Sequence, residues 1–262
     1  MPALQRSEPL ESDDAQVGRI LSRREVLTLL GIGGAGMMAS RLRAQPDLPL
    51  SSLPTSPSAG YLPACVVTPE QTEGPYFVDE KLQRIDIRSE PGSGRMSEGA
   101  PLALEMRVFR VNAGTCEPLA GALVDIWQCD ALGIYSGVRD ANGFFTTTGQ
   151  KFLRGYQVTD AAGVARFTTV YPGWYEGRCV HIHFKVRTTA TAARSHEFTS
   201  QLYFDDAFTD QVHAKAPYTS RSGARVRNER DGIYRRGGRQ LMMAVTERDA
   251  GYRGSFDIGL VA

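Results

Sequence analysis

Leu102-Ala103-Leu104-Glu105-Met106-Arg107-Val108-Phe109 places Leu102, Leu104, Met106 and Val108 on one side of an extended chain, with Ala103, Glu105, Arg107 and Phe109 on the other. A period of two is that of a strand with one face in a core. Working outward, Ala122, Val124 and Ile126 repeat the pattern. So do Val180, Ile182, Phe184 and Val186, then residues 201–204 and 241–245, and finally Phe256, Ile258 and Leu260. Turn signals separate these runs at Asn112-Ala113-Gly114, Asn142-Gly143 and Asp160-Ala161-Ala162-Gly163. No long segment after residue 45 carries a helical period. The pattern predicts an all-β fold, a β-sandwich of mixed topology over residues 96–262.

At 262 residues the chain can hold one large domain or two small ones, and 42% hydrophobic with 23% charged residues is ordinary globular usage. Thirty Lys and Arg against 29 Asp and Glu leave no basic excess, which argues against a nucleic-acid partner. Ser22-Arg23-Arg24-Glu25-Val26-Leu27 is a twin-arginine pattern, and the apolar run from Val26 to Ala39 is too short for the ~20 residues a membrane span needs. Residues 1–44 are therefore expected to be a cleavable twin-arginine signal. Export would leave the protein periplasmic or extracellular, with no stable membrane span. Without that segment acids and bases are equal in number. Residues 45–95, Ser- and Pro-rich at the start, read as an extended arm that includes Thr72-Glu73-Gly74-Pro75-Tyr76-Phe77. Cys65, Cys116, Cys129 and Cys179 permit one or two disulfides after export, and their spacing leaves all pairings open.

The chemistry concentrates between residues 127 and 201. His181-Ile182-His183 lies within the strand Val180–Val186, so alternation sends both imidazoles to one face and the aliphatic side chains to the other. Two histidines so placed can reach one metal ion. They carry no charge to hold a trivalent one, and two tyrosines would supply it: a bound Fe(III) favours the phenolate as any nearby cation favours an anion. The chain has four histidines and ten tyrosines. The pair follows Pro172-Gly173-Trp174-Tyr175-Glu176-Gly177-Arg178, and an earlier turn reads Cys129-Asp130-Ala131-Leu132-Gly133-Ile134-Tyr135-Ser136.

GALVDIWQCDALGIYSG (121–137), FLRGYQVTDAAGVARFTTVYPGWYEGRCVHIHFKV (152–186), SQLYF (200–204) and TEGPYF (72–77) together resemble the intradiol ring-cleavage dioxygenases, the catechol and protocatechuate dioxygenases that use non-haem Fe(III). The likeness runs from about Cys65 to Ala262. It implies Tyr135 and His183 as equatorial ligands, Tyr175 and His181 as axial ligands, and a hydroxide as the fifth. It also implies that a catechol gives up its two protons to the hydroxide and to Tyr175, that Tyr175 then leaves the metal, and that O2 opens the ring between the hydroxylated carbons to a cis,cis-muconic acid. Arg178 matches the family arginine that stabilises charge building on the ring, Gln201 a family glutamine near the metal, and Pro75 and Tyr76 would wall the pocket. Trp127 reads as core.

Two features depart from the family pattern. Glu176-Gly177 follow the axial tyrosine where protocatechuate-type members have an aromatic residue. The helical N-terminal dimerisation region of catechol 1,2-dioxygenases is also missing from residues 45–95, so the resemblance does not carry over their dimer mode or lipid-binding tunnel, and a homo-oligomer stays an open expectation. Residues 215–239 hold eight bases, and an anion-attracting rim stands beside the plainer reading of a solvated loop. Two other functions fit parts of the sequence: a non-catalytic secreted β-sandwich binding module, and a copper oxidase using the His181/His183 pair.

Overall fold

In the computed structural model, which describes residues 66–112, 115–140, 143–190 and 194–261, the alternation at Leu102 is a strand, β1 (Pro101–Asn112). Leu102, Leu104, Met106 and Val108 are each at most 2% exposed, while Ala103 and its alternates face outward or lie half-buried. Along one edge β1 pairs antiparallel with β2 (Thr115–Pro118) and β5 (Val164–Val170); along the other it runs parallel to β9 (Gly251–Leu260), beyond which lies β8 (Ala244–Arg248). The second sheet is antiparallel, in the order β4 (Arg154–Val158), β3 (Leu123–Trp127), β6 (His181–Ala190), β7 (Arg194–Tyr203). The parallel β1–β9 pair makes the topology mixed, as expected.

The two sheets meet through aliphatic and aromatic side chains from both. Phe184 of β6 approaches Phe256 of β9 with ring centroids 6.3 Å apart, and Ile182, Val186, Val124 and Ile126 join the same buried cluster as Leu104 and Ile258. Burying one such side chain is worth about 1.5–3 kcal/mol. Because alternate residues of a strand point to opposite faces, His181, His183, Lys185 and Arg187 lie on the face of β6 turned away from this core. The site is thus built on the outside of the four-stranded sheet.

The arm covers that outside. Thr68 donates its N–H to the Gly259 carbonyl of β9, and Gln71 donates to Thr199 of β7, so the arm crosses from one sheet to the other. It then lies over the outer face: Glu73 pairs with Lys185, Phe77 packs on Trp127 at 4.8 Å, and Asp79 pairs with Arg187 at 3.1 Å. Isolated bridges at Gln83–Tyr156 and Asp86–Thr168 continue the attachment.

Some expectations need correction. An α-helix, α1 (Asp206–His213), follows β7; Asp205 caps it by accepting from the Phe208 N–H at 2.8 Å. Eight residues with Thr209 and Val212 buried are too few to print a period in the sequence. The strand expected over 241–245 begins at Ala244, because residues 238–241 form a 3-10 turn in which Leu241 is buried, and Leu241 and Met243 imitate alternation. β2, β4 and β5 were not anticipated. Among the described residues three of the eight bases in the basic run are ion-paired: Arg225 and Arg227 with Asp206 and Asp210, and Arg239 with Glu229. Cys116 is disulfide-bonded, whereas Cys129 and Cys179 are free and buried.

The expected signal over 1–44, the Pro46–Pro63 linker, Cys65, and parts of the turns at Asn112-Ala113-Gly114 and Asn142-Gly143 lie outside the described residues. The described residues all fall in one compact unit, and among them no helix is long and apolar enough to cross a membrane.

Candidate metal centre

Three pieces of chain bring four donor atoms together. β6 supplies His181 and His183, whose Nε2 atoms face each other at 3.0 Å. The loop after β3 supplies Tyr135, with Oη 3.5 Å from His181 Nε2, and the loop before β6 supplies Tyr175, with Oη 3.3 Å from the same nitrogen. With bonds of about 2.1 Å, neighbouring donors around one metal ion stand about 3 Å apart, so these four can share an ion with small adjustment. Among the described residues no three His, Cys, Asp or Glu side chains converge on a point, so the tyrosines are needed to complete a donor set.

Local sequence explains the loop positions. Asp130 Oδ1 accepts from the Leu132 and Ile134 N–H groups, both at 2.9 Å, and so closes the turn that leads to Tyr135. Gly133 holds φ at +85°, and a Cβ there would stand 2.1 Å from the Trp174 carbonyl oxygen. A Cβ on Gly173 would meet the Asp130 and Ala131 carbonyls at 2.5 and 2.4 Å. The two tyrosine-bearing loops therefore touch backbone to backbone, which only glycine allows. Thr147 fixes Tyr135 from the other side by donating its hydroxyl to the Tyr135 carbonyl at 2.6 Å.

The imidazoles are set for metal binding. His181 Nδ1 donates to the Cys179 carbonyl at 2.7 Å, which fixes the tautomer and leaves the Nε2 lone pair toward the site. The His183 ring stacks on Trp127 at 5.0 Å with planes 9° apart, and its Nδ1 is buried without a partner among the described residues. Burial, and then the positive charge of Arg178, hold His181 well below the ordinary imidazole range; burial and His181 do the same for His183. Both stay neutral at neutral pH, the form a metal needs. Burial, with Tyr175 and Cys129 nearby, pushes the Tyr135 phenol far up, so ionisation calls for a cation at the cluster. Tyr135 is 1% exposed, whereas Tyr175 is only half-buried. The donor chemistry and geometry fit a hard, highly charged ion such as Fe(III).

Arg178 and Gln201 sit beside the cluster and bind each other. Arg178 Nη2 donates to Gln201 Oε1 at 2.5 Å and Nε to Asp231 Oδ2 at 2.9 Å, while its Nη1 is buried with no acceptor among the described residues. Burial opposes the charge, but Tyr175, Tyr203 and Asp231 outweigh it and hold the guanidinium protonated. The Gln201 side chain also receives the Tyr203 hydroxyl at 3.0 Å and donates to the Thr72 carbonyl at 3.0 Å. In this state it orients Arg178 and the arm. Tyr76 stacks on Tyr135 at 4.6 Å, meets Tyr175 edge-on at 5.8 Å, and donates to Asp140 Oδ1 at 2.7 Å. Pro75, in the same turn, is exposed.

Sequence reasoning missed four residues here: Asp231, Arg154, Asp140 and the stacking role of Trp127. One had a visible signal, since Asp231 is one of two acids in a run of eight bases.

Residues 72–226, more than half of the chain, match a family model described as Dioxygenase. An intradiol ring-cleavage dioxygenase from Tetranychus urticae superposes with a TM-score of 0.64 at 31% identity, covering 74% of this chain and 94% of that one. The chain is 31% identical over 113 residues to a chlorocatechol 1,2-dioxygenase of Pseudomonas putida (36% of this chain, 40% of that protein). It is 26% identical over 186 residues to a catechol 1,2-dioxygenase of Acinetobacter lwoffii (60% of this chain, 55% of that protein). Fold, site and similarity define an oxygen-using ring-cleavage class. The chain belongs to the intradiol ring-cleavage dioxygenase family. It spans about half the length of the two curated catechol dioxygenases it matches.

Proposed function

We propose that this protein adds both atoms of O2 to a catechol-type ring and opens it between the hydroxylated carbons to a cis,cis-muconate, with Fe(III) held by Tyr135, Tyr175, His181 and His183. The observation that carries the reading is the meeting of two phenol oxygens and a second imidazole around His181 Nε2 at 3.0–3.5 Å. A ferric ion bound there would supply a Lewis-acidic centre that binds the substrate oxygens and draws electron density from the ring.

The chain's own residues account for the rest. Tyr175 is the more exposed of the two phenols, and its Oη, as the phenolate that a ferric ion would favour, would accept a substrate hydroxyl proton. Tyr135, buried and stacked against Tyr76, stays. Arg178 Nη1 offers a fixed, unspent positive charge to the electron density that builds on the ring. Gln201 and Asp231 keep that charge aimed. Tyr76 and the rest of the described arm would exclude water from the outer face of the sheet, so residues 66–95 and 96–261 would act as one catalytic unit. The twin-arginine motif supports export of the folded protein, which would place the reaction outside the cytoplasm.

The test is a purified, iron-loaded protein offered catechol, 4-methylcatechol, protocatechuate and hydroxyquinol, with muconate absorbance followed in time. At least one should turn over, and the protein should show a visible phenolate-to-iron band that moves to longer wavelength when substrate is added without oxygen. Iron at one per chain with no turnover of any of the four would refute the substrate class. A colourless protein that takes up no iron would point to a binding module, and a Cu(II) resonance spectrum to a copper enzyme.

A further inference from the structure

Arg154 opens β4, opposite Trp127 of β3, and its side chain lies on the same outer face as the histidines. It is 3% exposed. A guanidinium so deeply buried normally faces a carboxylate. Here, among the described residues, its acceptors are neutral. Nε donates to the Ser136 hydroxyl at 2.8 Å, Nη2 to the Ser136 carbonyl, and Nη1 and Nη2 to the Tyr76 carbonyl at 3.3 and 3.2 Å. Ser136 in turn donates its hydroxyl to the Phe152 carbonyl at 2.5 Å. One rigid, planar fork therefore joins three distant pieces of chain: the arm at Tyr76, the loop at the residue after Tyr135, and β4.

Those pieces carry the stacked pair. The Tyr76 and Tyr135 rings lie 4.6 Å apart at 26°. They stand 59 residues apart in sequence, so their register depends on the contacts that hold both backbones. Arg154 holds both at once, through the Tyr76 carbonyl and through the hydroxyl and carbonyl of Ser136, the residue next to Tyr135. A lysine could match the charge but not the three-way fork.

We infer that Arg154 is a positioning residue: its buried guanidinium locks the Tyr76 strap to the Tyr135 loop and thereby sets the angle at which the Tyr135 phenol meets the histidine pair. The metal-dependent half of this inference rests on the proposed ligand role of Tyr135; the strap-to-loop lock does not.

The experiment uses the full chain with Arg154→Lys and Arg154→Gln. In metal-free protein, amide exchange is read at Gly137 and Val138, which are hydrogen-bonded to Thr147 across the loop. In iron-loaded protein, the visible band and the kcat and KM for whichever catechol the wild type cleaves are read. Both variants should keep the far-UV spectrum and the iron stoichiometry of the wild type. Exchange at the two amides should quicken about tenfold or more, as loss of charge-assisted hydrogen bonds requires. The band should shift, and kcat should fall about tenfold with KM nearly unchanged.

Unchanged exchange together with an unchanged band would overturn the inference. So would a lowered Tm with neither local effect, since that is what a merely structural arginine gives. If Arg154→Gln fails to fold, Arg154→Lys decides, because it keeps the charge and removes only the fork. If the wild type itself takes up no iron, the function reading fails while the exchange comparison still decides the lock.

Discussion

Asp231 is the residue on which Arg178 depends, and removing its charge should be costly. Its Oδ2 accepts from Arg178 Nε at 2.9 Å and from the Cys179 N–H at 2.8 Å; its Oδ1 accepts from the Ile233 and Tyr234 N–H groups at 2.8 and 3.0 Å. The Asp231 side chain is fully buried and that of Arg178 is 7% exposed, so solvent does little to screen the pair. Breaking a buried ion pair from one side costs about 3–5 kcal/mol, because the remaining charge is stranded. Asp231→Ala should lose that much. Asp231→Asn should lose nearly as much, since its NH2 would face two donors.

For a folded unit of this size the loss corresponds to about 6–20 °C in Tm. The pH dependence follows from the carboxyl's environment. Burial alone would raise its pKa, but Arg178 and the backbone N–H groups of Cys179 and Tyr234 overcome it and hold it below the ordinary carboxyl range. A depressed carboxyl contributes stability that is present above the unfolded pKa and is lost as pH falls through the folded one. Urea unfolding should therefore show a constant gap between wild type and Asp231→Asn from pH 7 to 5, closing only below about pH 4. A gap under about 1 kcal/mol at pH 7, or one that does not narrow in acid, would refute the reasoning.

Three further expectations are simpler. Gly133→Ala forces a Cβ into the Trp174 carbonyl at a left-handed φ, so it should cost about 1–3 kcal/mol in urea unfolding and reduce iron uptake by separating Tyr135 from Tyr175. His183→Ala should abolish iron retention in elemental analysis while leaving the far-UV spectrum intact, because the ring packs outside the inter-sheet core. Burial pushes the Cys129 and Cys179 thiols up, so both should resist alkylation at pH 8 in native protein and react once it is unfolded, as mass spectrometry would show.

What the sequence disclosed divides along physical lines. β1 was legible because one face of it is core and the other is not, so Leu102 to Val108 print their burial directly. The face of β6 carrying His181 and His183 was legible for the same reason, although both faces are buried: the outer one is lined by polar groups that the arm covers. α1 was not legible, since eight residues with two buried side chains leave no period. The stretch around Leu241 misled because a 3-10 turn buried alternate residues as a strand would. Tyr135 and Tyr175 could be joined to the histidines only by family resemblance, since loop closure across Gly133 and Gly173 leaves no local pattern. Arg154 looked like one more strand arginine, and Trp127 like plain core. Its core reading holds, since it is 1% exposed within a buried cluster, and it packs on a candidate ligand as well.

The donor side chains stand on the far side of the four-stranded sheet from the sandwich interior, under a covering of arm and loops. Mutations that widen or narrow this roof can therefore accumulate without repacking the large buried cluster between the sheets. A lineage with such a layout can change which aromatic it admits while its thermal tolerance stays put, and a laboratory library aimed at new specificities would sensibly be confined to residues 72–82, 136–140 and 143–147.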